Sequence, residues 1–208
     1  MKRALALVAA PAALAISLAA CGDNKDSGDS KSGGSMAGHS MSMSASPSTG
    51  AQAGQHNGQD VMFAQMMIPH HRQAIEMADL AATRASSPQV KSLAADIEKE
   101  QTPEIERLSG WLTGWGSSVP SPGMGGMDRG GMDGLMTEKD MKELEAAKGA
   151  AFDKAFLQMM IKHHEGAVAM AMTEQSAGQF PDAKTMAAGI ISSQSTEITK
   201  MRTLLKKQ

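Results

Sequence analysis

Two runs in this sequence of 208 residues place soft ligands at coordination spacing: Met66-Met67-Ile68-Pro69-His70-His71 and Met159-Met160-Ile161-Lys162-His163-His164. Residues three and four apart are neighbours on a helix. Met66 and Met67 therefore both adjoin His70, and Met67 also reaches His71. Met159, Met160, His163 and His164 offer the same geometry. Thioether sulfur prefers Cu(I), and imidazole accepts copper in either oxidation state. The carboxylate-rich set expected for magnesium, calcium or manganese is missing, and zinc sites seldom use thioethers. Among common metals copper fits best, as Cu(I), and Ag(I) is expected to follow it. His70 and His163 lie nearest the centre of their apolar stripes and are the leading ligand candidates, with His71 and His164 flanking them. Met77 and Met170, identical in the two runs, complete the candidate set. The competing explanation is packing, because a methionine stripe at helical spacing is usually core. Four imidazoles in one small core are harder to explain that way, since they need partners or remain costly to bury. Metal binding outweighs packing.

The elements that hold these residues come in duplicate. Met159 follows Met66 by 93 positions (159 − 66), and at that offset residues 60–112 and 153–205 agree at 20 of 53 positions without a gap. The matches include Asp60/Asp153, Phe63/Phe156, Gln65/Gln158, Pro88/Pro181, Gln101/Gln194 and Glu104/Glu197. Such self-similarity marks an internal duplication. Residues 60–85 have helical periodicity: Phe63, Met66, Met67, His70, Ala74, Met77 and Ala78 share one side, and Gln65, Arg72, Glu76 and Asp79 gather opposite. Pro69 is expected to bend this helix. Ser86-Ser87-Pro88 reads as a helix start, opening a second helix to about Leu112 that Pro103 is expected to break or bend. Thr137 caps a third, acid-led helix, read as one long element through the second motif to about Gly178. Phe180-Pro181 opens a fourth, ending at Lys206-Lys207. No strand pattern is present. The fold class expected is all-α, a four-helix bundle of two duplicated αα-hairpins over residues 59–208.

Outside the repeats the chain changes character. Residues 1–20 combine Lys2 and Arg3, an apolar run and small residues before Cys21, which describes a secretory signal rather than a span. The ending Leu18-Ala19-Ala20-Cys21 looks like a lipobox, which makes Cys21 the expected lipidation site and the membrane an expected partner at the cell envelope. It is the one cysteine, which leaves no disulfide, zinc knuckle or thiol chemistry. Residues 21–58 are Ser- and Gly-rich, a composition expected to form a tether. Met36, His39, Met41, Met43 and His56 within it are either filler or a soft-metal scavenging arm. A Gly/Met-rich loop follows at 114–136, where Met124, Met127, Met132 and Met136 are expected to be exposed. The formal charge of −2 and the lack of a basic stripe argue against nucleic acid. Nineteen methionines against no tyrosine and four phenylalanines exceed what an adaptable core uses.

Phe63-x-x-Met66-Met67-Ile68-Pro69-His70-His71-x-x-Ala74-Ile75-x-Met77-Ala78, with Gln101-x-x-Glu104-Ile105 and Trp111-Leu112 later, resembles the signature of domain of unknown function 305. The resemblance covers about residues 58–207. It implies a ferritin-like four-helix bundle, secreted or periplasmic, in a family with members that bind copper through Met and His and contribute to copper resistance. Two departures stand out: Lys162 replaces Pro69, and Gly166, expected to interrupt the helix, replaces Gln73. The halves are therefore expected to differ in affinity. Gln101/Glu104 and Gln194/Glu197 recur at fixed spacing, either as outer partners that orient the histidines or as polar contacts of the bundle.

The leading functional reading is a lipid-anchored extracytoplasmic copper-binding protein that buffers copper or hands it to a copper-handling partner protein, without catalysis. A ferritin-like oxidase needs inward carboxylates with Glu-x-x-His spacing, which the chain lacks. A multicopper oxidase needs a cysteine ligand. A haem protein is open only without covalent attachment, since Cys-x-x-Cys-His is absent. A structural envelope protein with a Met-rich core is the remaining alternative.

Overall fold

The computed structural model describes residues 54–122 and 134–207. Cys21, residues 36–43 and the loop methionines Met124, Met127 and Met132 lie outside them.

Five helices carry the chain: α1 (Gly58–Arg84), α2 (Pro88–Gly114), α3 (Glu138–Ala146), α4 (Gly149–Ala177) and α5 (Pro181–Leu205). No strand occurs among the described residues; Ala85 and Gly149 form one isolated bridge. No described helix is long and apolar enough to cross a membrane. The starts follow capping chemistry. Asn57 accepts the Gln59 and Asp60 amides at α1, Ser87 caps α2 ahead of Pro88, and Thr137 forms a capping box with Asp140 at α3. Pro69 and Pro103 both sit inside continuous helices, so Pro103 does not break α2.

The third helix is two. α3 stops at Ala146, and α4 starts at Gly149, whose φ of +61° lies in the left-handed region. α4 then passes through Gly166 without interruption.

Two apolar layers fix the helix directions. One joins the C-terminal half of α1 (Ala74, Met77, Ala81), the start of α2 (Val90, Leu93, Ile97), the start of α4 (Phe152, Phe156, Met160) and the end of α5 (Ile198, Met201). The other joins Phe63, Met67 and Ile68 of α1 with Leu108 and Leu112 of α2, Ala167 and Ala171 of α4, and Ala183, Ala187 and Ile190 of α5. Thus α1 runs with α5 and against α2 and α4. Because α2 and α4 run the same way, their connection must return the full length of the bundle, as in ferritin-like folds with one long crossover.

That crossover is pinned where it approaches α3, at residues 134–136. Gln73 Nε2 donates to the Met136 carbonyl at 2.9 Å, and the Met136 amide donates to Gln73 Oε1 at 2.7 Å. Gly134, at φ +90°, passes so near α4 that a Cβ would lie 2.8 Å from the Gly166 Cα. Met136 is 2% exposed and packs in the first layer with Met141 and Leu144 of α3, contrary to its expected exposure. Residues 54–57 likewise pack on the bundle rather than belonging to a tether: the His56 ring stacks on Trp115 at 4.5 Å.

The hairpins cap each other. Asp60 accepts from the Gln179 and Phe180 amides at the start of α5, at 3.0 and 2.9 Å. Its repeat partner Asp153 accepts from the Ser86 and Ser87 amides and from Ser86 Oγ at the start of α2. Buried beside Asp60 is Glu174. Burial, then the neighbouring Asp60 carboxylate, push the Glu174 carboxyl up to about 8, against smaller opposing effects of Gln59 and Lys184. Burial raises Asp60, but the adjacent Glu174 carboxyl and the hydrogen bonds it accepts from the Asn57, Phe180 and Gln179 amides hold it below the ordinary carboxylate value.

Candidate metal centre

Between the two apolar layers lies one polar layer, made of the residues that the repeat singled out. His70, His71, His163 and His164 are each 0% exposed, and Gln101, Glu104, Gln194 and Glu197 complete the layer from α2 and α5. α1 and α4 cross at their His-His pairs: the His70 and His163 rings meet with centroids 3.8 Å apart and planes inclined by 42°. The His163 and His164 centroids are 6.3 Å apart.

The outer histidines are held identically. His71 Nε2 lies 2.8 Å from Glu104 Oε2, and His164 Nε2 lies 2.7 Å from Glu197 Oε2, each pair 33 residues apart. A carboxylate can only accept from a neutral imidazole. It therefore selects the Nε2–H tautomer and leaves the lone pair on Nδ1, the tuning seen behind metal-ligating histidines. Both Nδ1 atoms are buried and meet no hydrogen-bond partner. Leaving such an atom unsatisfied costs about 1–3 kcal/mol, so the layer maintains acceptors that the protein itself does not use. The amide groups of Gln101 (both atoms) and Gln194 (Oε1) are also buried without a partner. Of the two readings for this recurring quartet, the structure gives the glutamates to the outer histidines and no hydrogen bond to the glutamine atoms named.

Of the central pair, His163 is kept uncharged. Burial first, then the neighbouring rings of His70, His164 and His71, hold the His163 imidazole well below its ordinary 6.5, and a hydrogen bond with the His70 backbone offsets part of this. A neutral ring retains the lone pair that a metal needs.

The methionines divide between the two faces of the layer. Met67 is fully buried on one side, with Met170 partly buried against the same cluster. Met77 and Met160 are fully buried on the other, with Met159 partly buried beside them. Met66 is also partly buried. Among the described residues no three His, Cys, Asp or Glu side chains converge into a ready-made cation site. Nitrogen and carboxylate donors alone therefore do not make a cage here, and the donor set suits a soft ion that accepts thioether sulfur better than a hard one.

Three features escaped the sequence reading. Asp60/Asp153 had a signal, their recurrence one repeat apart. The Gln73/Gly166 pair showed only as a departure from the repeat, and its reason lies in the crossover. Glu174 had no signal, because its counterpart is Ala81.

Fold and layer define an all-helical, internally duplicated bundle whose centre is an imidazole layer flanked by thioethers. The chain belongs to the DUF305 family: the family described as "Domain of unknown function (DUF305)" matches residues 60–205. A DUF305 protein of Streptomyces coelicolor has 34% sequence identity, with a TM-score of 0.65 over 72% of this chain and 93% of its own. A DUF305 fragment from Deinococcus radiodurans is 31% identical, with a TM-score of 0.65 over 73% of this chain and 98% of that one. CopM in its Cu(II)-bound form is 35% identical, with a TM-score of 0.63 over 71% of this chain and 96% of its own. CopM has also been solved in Cu(I)-bound and Ag-bound forms. No curated protein matches the chain.

Proposed function

We propose that this protein binds copper as Cu(I) through the buried Met/His layer, and that it buffers the ion or hands it to a copper-handling partner outside the cytoplasm. The observation that carries the reading is the pair of buried, partnerless Nδ1 atoms on His71 and His164, each fixed by a glutamate on Nε2. His70 and His163 supply the central imidazoles. Met66, Met67, Met77, Met159, Met160 and Met170 supply thioethers, and Glu104 and Glu197 hold the outer rings. Gln101 and Gln194 are assigned as outer partners in the same layer, with buried amide atoms that no protein group uses. Copper here is cargo, and no catalytic step is assigned. The likeness to CopM, solved with Cu(I), Cu(II) and Ag, supports both copper and silver as ligands.

Secretion and lipid attachment at Cys21 rest on the sequence of residues 1–21, with the Streptomyces coelicolor relative, described as a candidate secreted protein, in support of an extracytoplasmic location. Residues 21–53 then act as the tether between membrane and bundle.

The test is an anaerobic Cu(I) titration of the mature chain against a chromophoric chelator, beside a chain carrying His70→Ala and His163→Ala. The expected result is loss of tight binding in the double variant with its helical circular dichroism retained. Unchanged affinity in the folded variant overturns the assignment.

A further inference from the structure

Four fully buried imidazoles need a way in for a ligand. The two apolar layers close it at both ends, and the crossover residues Gly134–Met136 lie over α1 and α4 at Gln73 and Gly166. The remaining side is that of α2 and α5. There a groove of about 450 Å³ opens, lined by Asp96 and Glu100 of α2 and by Gly189, Ser193, Glu197 and Lys200 of α5 among others.

Three observations link this groove to the layer. Glu197 stands in its wall and holds His164 Nε2 at 2.7 Å, so one carboxylate touches both the groove and the layer. His164 is 0% exposed, its Nε2 is aimed at that carboxylate, and its Nδ1 has no partner. Glu100 senses the cluster: burial, then the charges of Glu197, Glu104 and Asp96, push its carboxyl above the ordinary value, against His164. The duplication shows why the opening exists. Asp96 and Glu100 fall one repeat from Gly189 and Ser193, so at these positions α2 carries charge where α5 carries small residues. A Cβ at Gly189 would meet nothing within 4 Å.

We propose that the α2–α5 groove is the entry route by which a soft monovalent cation, Cu(I) or Ag(I), reaches the histidine layer, with Asp96 and Glu100 drawing it in past Glu197 toward the unpartnered Nδ1 of His164. The proposal rests on the copper reading above. A cleft lined by one sign of charge raises the local cation concentration and its on-rate by about 10- to 1,000-fold. Lys200, 3.3 Å from Asp96, is the opposing charge in the groove.

The experiment is quench-flow on the mature chain. Cu(I) is supplied anaerobically as its acetonitrile complex and stopped at timed intervals with a chromophoric chelator. Asp96→Asn with Glu100→Gln is expected to slow loading about tenfold and to flatten its dependence on ionic strength, with the copper bound at saturation unchanged. Gly189→Leu, which fills the groove and suits a helix better than glycine, is expected to slow loading and chelator-driven unloading together. Wild-type loading rates in both folded variants overturn the route while leaving the site intact. Failure of the unaltered chain to take up Cu(I) at all overturns the copper reading, and the route with it.

Discussion

Each outer histidine commits its Nε2 proton to a glutamate, and that decides what its other nitrogen can do. With Glu104 and Glu197 accepting at 2.8 and 2.7 Å, Nδ1 keeps its lone pair inside the layer. Changing Glu197 to Gln keeps an acceptor of similar shape but removes the charge that orients and strengthens the ring. The expected outcome is a loss of about 10- to 100-fold in Cu(I) affinity, read by chelator competition, with Glu104→Gln behaving alike. The recurrence of Gln101/Glu104 at Gln194/Glu197 was enough to mark this quartet in the sequence. Its assignment to His71 and His164 rather than to His70 and His163 was not legible. That choice depends on the rotational phase of α2 and α5 against α1 and α4, which spacing along one chain does not carry.

Among the elements, the sharpest electrostatic consequence lies where α4 ends and α5 begins. Glu174 titrates near 8 in the fold, against an ordinary 4.5. The folded state therefore holds a proton that the unfolded chain releases above about pH 4.5. Stability from this group is complete below that value and falls progressively as pH rises to about 8. Glu174→Gln, which can donate to the Asp60 carboxylate at any pH, should remove that decline. The expected result is a Tm gain on the order of 5 °C at pH 8 and little change near pH 4.5, read by thermal circular dichroism from pH 4.5 to 9. Helix starts were legible here because Ser87-Pro88, Thr137 and Phe180-Pro181 carry their own punctuation. The break between α3 and α4 was not, because Ala146, Ala147 and Ala150 favour helix and only Gly149 signals the turn. Gly166 misled in the opposite sense: it makes room for the crossover at Gly134 and leaves α4 continuous.

For the whole molecule, duplication accounts for most of the architecture. Two αα-hairpins related by one repeat pack so that their His-His pairs cross, and Asp60 and Asp153 tie each hairpin to the second helix of the other. The all-α class, the paired hairpins and the central histidines were readable because the repeat displays each twice. The crossover was not, because it occurs once and has no second copy to compare. It also makes the halves unequal, since Gln73 binds it on one side and Gly166 admits it on the other. The central claim is that the tight copper site is this layer and not the Met/His segment at residues 36–43. The measurement that tests it most directly is anaerobic Cu(I) competition titration of the mature chain in three forms: unaltered, His70→Ala with His163→Ala, and Met36, His39, Met41 and Met43 all changed to Ser. The account predicts tight binding in the first and third forms and its loss in the second. Loss in the third form with retention in the second would contradict it and move copper binding out of the bundle.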